Sequence, residues 1–336
     1  MNEIYESAKE KMQGFCRVCK LCDGKACRGE VPGMGGLGTG SSFTANLEAL
    51  ARYRFNMRVL HDVTTPDTQV NALGKDFSMP VLAAPIGGVS FNMGGKVSEE
   101  EYINAVIGGC RAAGTMGCTG DGVPEFIHVA GFEAIKKNNG EGIPFIKPWE
   151  DEELFEKLKK AEDSGSSVFG MDIDAAGLVT LRQMGRPVSP KTVDEIKKII
   201  ASTKMKFILK GVMTVDEAIL ACEAGADGIV VSNHGGRVLD SSPGAAEVLE
   251  DIAKEVKGKL TIIADGGVRS GGDVLKLLAL GADLVMIGRP VSVAAVGGLQ
   301  EGVEKYLAKI KGELIQAMVL TGTASVSMVN RNILRS

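Results

Sequence analysis

The residues best able to do chemistry crowd into "VVSNHGGRVLD", Val230 to Asp240, where one of only three histidines stands before a glycine pair and is followed by Arg237. A histidine in a tight turn is either a structural hydrogen-bond donor or a group poised for chemistry. Similar residues recur after other apolar runs: Asp172 and Asp174 in "GMDID", Lys210 in "ILKGV", Ser232 ahead of the histidine, Asp265 and Arg269 in "ADGGVR", Arg289 in "GRP". Gly266, Gly267 and Gly288 leave backbone N–H groups open to a phosphoryl group, and the two arginines add charged donors. Together they predict a phosphorylated cofactor with a lysine and a histidine facing its reactive part.

A second group stands apart. "CRVCKLCDGKAC" sets Cys16, Cys19, Cys22 and Cys27 at C-x₂-C-x₂-C-x₄-C. The spacing is near the ferredoxin run and also suits zinc, so an iron–sulfur cluster, zinc, or reduced thiols are the alternatives. Cys110, Cys118 and Cys222 read as packing residues.

Positioning such groups on one mouth needs a scaffold with many strand ends. From about residue 80 the chain alternates short apolar runs with helical periodicity, and the runs beginning at Val81, Thr115, Ile143, Ser167, Lys206, Gly228, Thr261 and Leu284 number eight. Strand then helix, eight times over, predicts parallel strands and an α/β fold, a (β/α)₈ TIM barrel with its chemistry at the carboxyl ends of the strands. An open doubly wound sheet is the rival, disfavoured because no dinucleotide fingerprint follows the first strand. Residues 1–78 break the alternation. They read as an N-terminal extension packed on the barrel of residues 79–336, holding the cysteines, a glycine-rich loop and one helix-like stretch.

The chain of 336 residues is 44% hydrophobic and 24% charged, with net charge −4, the make-up of a globular protein. Its acidic balance predicts a small-molecule substrate, with neither nucleic acid nor membrane as partner. No run is long and apolar enough to span a bilayer and the start lacks a signal layout, so a cytoplasmic protein with reduced cysteines is expected.

The ordered motifs "LKGV", "SNHGGR", "DGGVR" and "GRP" resemble those of the FMN-dependent 2-hydroxy acid dehydrogenase and oxidase family, from about Met79 to the C-terminus. The resemblance implies oxidation of a 2-hydroxy acid to the 2-oxo acid. His234 would be the base as a hydride equivalent passes to flavin N5, with Asp174 stabilising the imidazolium and Arg237 holding the substrate carboxylate. Lys210 would face the flavin edge where negative charge grows. Asp265, Gly266, Gly267, Arg269, Gly288 and Arg289 would hold the ribityl phosphate, and Pro85, Ile86 and Gly87 would lie under the ring. Thr119, Lys147, Asp172 and Ser232 complete the implied cofactor set, and Trp149 would join the substrate site. By analogy the chain would be a homo-oligomer, a tetramer, with an electron acceptor that Gly87 in place of alanine turns away from oxygen.

There are departures. "IKPW" puts Lys147 and Trp149 where the family has glutamine and tyrosine, no N-terminal tyrosine is found near "VPGMGG", and the loop arginine has only Arg182 and Arg186 as candidates. The substrate site is therefore rebuilt, and a flavin-dependent isomerase or a non-catalytic flavin or metal-binding protein are the alternatives.

Overall fold

The computed structural model describes residues 1–178, 181, 183–186 and 188–335. Eight strands close a parallel barrel: β1 (Val81–Ile86), β2 (Gly117–Thr119), β3 (Ile143–Ile146), β4 (Val168–Asp172), β5 (Lys206–Val212), β6 (Gly228–Val231), β7 (Thr261–Ala264) and β8 (Leu284–Ile287). Each pairs with the next in sequence, and Val285 of β8 pairs with Val81 of β1 to shut the ring. Every predicted apolar run is thus a strand, because a parallel barrel buries both faces of each strand and leaves continuous hydrophobic runs.

The interior is filled by side chains that point inward at alternate positions, among them Leu82, Cys118, Phe145, Ile208, Val230, Ile263 and Met286. A hairpin pairing Val70–Ala72 with Lys75–Phe77 adds Leu73 and Phe77 to this inner core. The outer helices start at caps written in the sequence. Ser98 with Glu101, Thr192 with Glu195 and Ser270 with Asp273 each form a reciprocal box that satisfies otherwise orphaned N–H groups.

The extension wraps the barrel. Helix α1 (Asn2–Lys11) packs on the C-terminal helical segment Arg289–Thr321, which breaks at Gly298 and Leu299, so closely that a Cβ at Gly297 would stand 2.1 Å from the Ile4 carbonyl oxygen. Helix α2 (Ser41–Arg52) lies against the ends of β6 and β7, and Arg54–Phe55 pairs antiparallel with Leu334–Arg335 near the far end of the chain. The cysteine segment and the glycine-rich loop run between these two helices.

Candidate active site

β6 delivers His234 through a tight turn. His234, Gly235 and Gly236 all have left-handed φ, and a Cβ would strike an Arg289 nitrogen at 2.5 Å from Gly235 or the Phe43 backbone nitrogen at 2.5 Å from Gly236. Only glycine tolerates both the backbone and the crowding there. Asn233 buttresses the turn: its Oδ1 accepts from the Gly236 N–H at 3.2 Å and from Asn46 Nδ2 of α2 at 2.8 Å. Ser232 Oγ accepts from the His234 N–H at 3.0 Å.

The imidazole Nδ1 lies 3.0 Å from both carboxylate oxygens of Asp174, which follows β4. Burial alone would raise the Asp174 carboxyl. The charges of His234 and Lys210, with the hydrogen bond from His234, outweigh it and hold the group below the usual carboxylate range. Such a carboxylate leaves the other ring nitrogen, Nε2, to take a proton and stabilises the cation that results. Asp174 sits where it does because residue 211, in the bulge of β5, is a glycine with φ +105°: a Cβ there would meet Asp174 Cβ and Cγ at 2.6 Å.

Lys210 is buried in the barrel mouth with its Nζ 3.1 Å from Asp172 Oδ1. That pair is close in distance but poorly aligned, since Asp172 Oδ1 makes no hydrogen bond within the protein. Burial opposes the ammonium charge, but Asp172, Asp174 and Asp265 around it raise its pKa above the ordinary lysine value, so it stays cationic. Asp265 is buried too. Desolvation lifts its carboxyl above the usual range against the pull of Lys210, and its Oδ1 has no partner.

These groups open on one cavity of about 640 Å³. Its wall includes Pro85, Ile86, Gly87, Lys147, Asp172, Lys210, His234, Arg237, Asp265, Gly266, Gly267, Arg269, Gly288 and Arg289, so the structure brings together nearly all the residues singled out from the sequence. Asp174 and Ser232 act from behind His234 and do not line it. The roof is the glycine-rich loop. Arg237 donates from Nη1 to the carbonyls of Gly33 at 2.6 Å and Gly35 at 3.0 Å, and from Nη2 to Asn92 Oδ1 at 3.1 Å. Arg289 Nε donates to the Met34 carbonyl at 2.7 Å, and its guanidinium stacks 4.2 Å from the Phe43 ring centre. Burial first, then the repulsion of Arg237 and Arg269, pulls the pKa of Arg289 down to about 9. An anion beside it would offset both effects.

Two expectations are corrected. Thr119 does not face the cavity: Cys118 points into the barrel, so its strand neighbour points out, against Gly131 of the helix Glu125–Lys137. Trp149 is also off the cavity. It is buried, and its indole N–H donates to Asp121 Oδ2. Arg186 pairs with Glu153 at 2.5 Å and does not line the cavity, while Arg182 lies outside the described residues. A Cβ at Gly87 would stand 2.7 Å from Ile127 Cγ2, so packing alone accounts for glycine there, independent of any electron acceptor.

What the sequence did not signal is the cluster around Asp121. This buried carboxylate receives Lys157 Nζ at 2.8 Å, the Lys147 backbone N–H at 3.0 Å and the Trp149 indole, with His128 Nδ1 at 3.5 Å. Burial works against its charge, but His128, Lys147 and Lys157 hold its pKa well below the usual range. Asp121 also carries Lys147, whose Nζ donates to the Asp121 carbonyl at the cavity wall.

The four N-terminal cysteines are free, and among the described residues the only trio of histidine, cysteine or carboxylate donors within 4.8 Å of one another is Asp172, Asp174 and His234. Lys210 already stands beside that trio, its Nζ 3.1 Å from Asp172 Oδ1.

Flavin mononucleotide fits what is present. The cavity falls within the range of about 300–1,000 Å³ common for cofactor sites. A buried lysine, an unpartnered Asp265 oxygen, two half-buried arginines and glycine N–H groups at the ends of β7 and β8 match a polar ring edge, a ribityl chain and a phosphate. Barrel and site together define a flavin enzyme of the 2-hydroxy acid oxidising class.

The comparisons agree. The profile described as FMN-dependent dehydrogenase matches residues 33–186 and 180–336, and the chain belongs to that family. It is 31% identical to 4-hydroxymandelate oxidase of Amycolatopsis orientalis over 91% of this chain and 95% of that one. It is 34% identical to glycolate oxidase of Spinacia oleracea, covering 85% of each chain. A crystal structure of mandelate oxidase superposes with a TM-score of 0.80 at 29% identity, over 99% of this chain and 97% of that one.

Proposed function

We propose that this enzyme oxidises a 2-hydroxy monocarboxylic acid bearing an apolar side chain to the 2-oxo acid. The observation that carries the reading is His234, backed by Asp174, opening on the same cavity as Arg237. Arg237 exchanges its loop carbonyls for the substrate carboxylate, which fixes the C2 hydroxyl beside His234 Nε2. His234 takes the hydroxyl proton, and Asp174 holds the imidazolium so formed. FMN, when bound, supplies the two-electron acceptor for the hydride that leaves C2. Lys210 presents a fixed positive charge on that side of the cavity and stabilises negative charge developing there.

The side-chain preference follows from the rest of the wall. Val31, Met34, Phe91, Ile127, Leu178 and Leu181 are apolar, and among the described residues no tyrosine lines the cavity. Among the described residues, a second carboxylate would meet no arginine beyond those already assigned. Mixing FMN-loaded protein anaerobically with glycolate, lactate, 2-hydroxyisocaproate and mandelate tests this. Bleaching of the flavin should be fastest with the bulky apolar acids and lost in His234→Ala. Bleaching that survives both His234→Ala and Arg237→Ala would overturn the mechanism, and fastest bleaching by glycolate would overturn the side-chain preference.

A further inference from the structure

The cysteine segment has no part in the chemistry above, yet it lies on the arginine floor of the cavity. Arg269 donates to the Cys22 carbonyl from Nε at 3.3 Å and from Nη2 at 3.2 Å, and Nη2 also approaches Cys22 Sγ at 3.5 Å. The segment is locked to the roof as well. The Gly29 N–H donates to the Gly36 carbonyl at 2.8 Å, and Gly35 is so near Cys27 that a Cβ would fall 1.8 Å from the Cys27 carbonyl oxygen.

Two of the sulfurs already receive hydrogen bonds of the kind given to metal ligands. The Val18 N–H points at Cys16 Sγ at 3.4 Å, and it does so because Val18, a β-branched residue, takes a left-handed φ of 45°. A β-branched residue in that region is an outlier that surrounding structure must impose. N–H groups aimed at sulfur, from Val18 and from Arg269, are the outer-shell hydrogen bonds that tune thiolate ligands. Four thiolates gathered at one centre repel one another. Against that repulsion stand Arg237, Arg269 and Arg289, none of which hydrogen-bonds a carboxylate among the described residues.

We propose that Cys16, Cys19, Cys22 and Cys27 form a soft-metal site of four thiolates, taken by Zn²⁺ or by an iron–sulfur cluster, which fastens the glycine-rich roof and Arg269 over the cavity. Closing the site releases the thiol protons, and the anionic centre then lies beside cationic arginines. The sulfurs are not drawn together in threes within 4.8 Å, so binding needs side-chain rotation, for which Cys19, exposed, has room.

The test uses the full chain purified without oxygen. Metal and acid-labile sulfide are measured, and Co²⁺ is then titrated into metal-stripped protein while absorption is followed in the red, beyond the flavin bands. About one zinc per chain supports a zinc site, and iron with matching sulfide supports a cluster. Either metal should fall at least tenfold in Cys19→Ser and Cys22→Ser and be kept in Cys222→Ser, which lies on the helix Val215–Ala224. Wild-type protein that holds neither metal and gives no thiolate–Co²⁺ bands overturns the proposal, as does metal retained in both serine variants. The Co²⁺ arm needs no variant to fold, and flavin bleaching by a hydroxy acid, measured separately, reports on the catalytic reading alone.

Discussion

Gly211→Ala reaches the proposed catalytic pair, His234 and Asp174, without replacing either member. The new Cβ would lie 2.6 Å from Asp174 Cβ and Cγ, against the 3.4 Å at which ordinary contact begins, so Asp174 must withdraw by about 0.8 Å. Its 3.0 Å contacts with His234 Nδ1 would then stretch to about 3.8 Å, beyond a hydrogen bond. General base catalysis is worth about 10²–10⁴ in rate, and a base without its orienting carboxylate should lose about 10² of it, or ~2.7 kcal/mol of barrier. Forcing alanine to a positive φ costs a further ~1–3 kcal/mol of stability. Gly258→Ala separates the two effects, since Gly258 has φ +81° and nothing within 4 Å. The assay is stopped-flow flavin reduction with a saturating hydroxy acid, alongside thermal denaturation. Both variants should lose stability, and only Gly211→Ala should lose rate while keeping its flavin. Equal reduction rates in Gly211→Ala, Gly258→Ala and wild type would refute the role given to the Asp174 contact.

Three further outcomes follow from the geometry. FMN should bind at least ~10²-fold more tightly than riboflavin, because charge-assisted hydrogen bonds from Arg269 and Arg289 are worth ~1.5–3 kcal/mol each; equal affinities by fluorescence quenching would remove the phosphate from that floor. Arg237→Lys should raise KM about tenfold or more with a smaller change in kcat, since an ammonium cannot reproduce a forked contact with a carboxylate; steady-state kinetics that change kcat alone would contradict it. Lys157→Met strands a buried carboxylate and should destabilise the fold by ~3–5 kcal/mol, with Asp121→Asn in the same chain recovering part of the loss. The folded pKa of Asp121 lies below its unfolded value, so its ion pairs stabilise fully above about pH 4 and fail as pH falls through the folded value. Urea titrations that show no acid-side difference between Lys157→Met and wild type would refute that linkage.

The barrel was legible because its strands are short apolar runs and its helices begin at capping pairs, both local patterns. The candidate cluster was legible for a related reason: in a barrel the residue after each apolar run is delivered to the same mouth, so Asp174, Lys210, His234 and Asp265 could be grouped without knowing a distance. Side-chain direction inside that rule was harder. Thr119 is one residue from facing inward, and Trp149 turned away because Asp121, 28 positions earlier, claims its indole N–H. The contact between Asn46 and Asn233 spans 187 positions, and the roof over Arg237 spans 204, separations on which no local pattern bears.

The hydrogen bonds from Arg237 to Gly33 and Gly35 change what affinity means in this site. The guanidinium has standing partners, so the substrate carboxylate proposed for it would make a trade and gain only the difference between an anion and two amide carbonyls. That keeps binding shallow while leaving the loop with something to return to when product departs. Residence time is then shared between ligand and protein, and substitutions in the loop that never touch substrate should shift turnover by altering how strongly the enzyme competes for its own arginine.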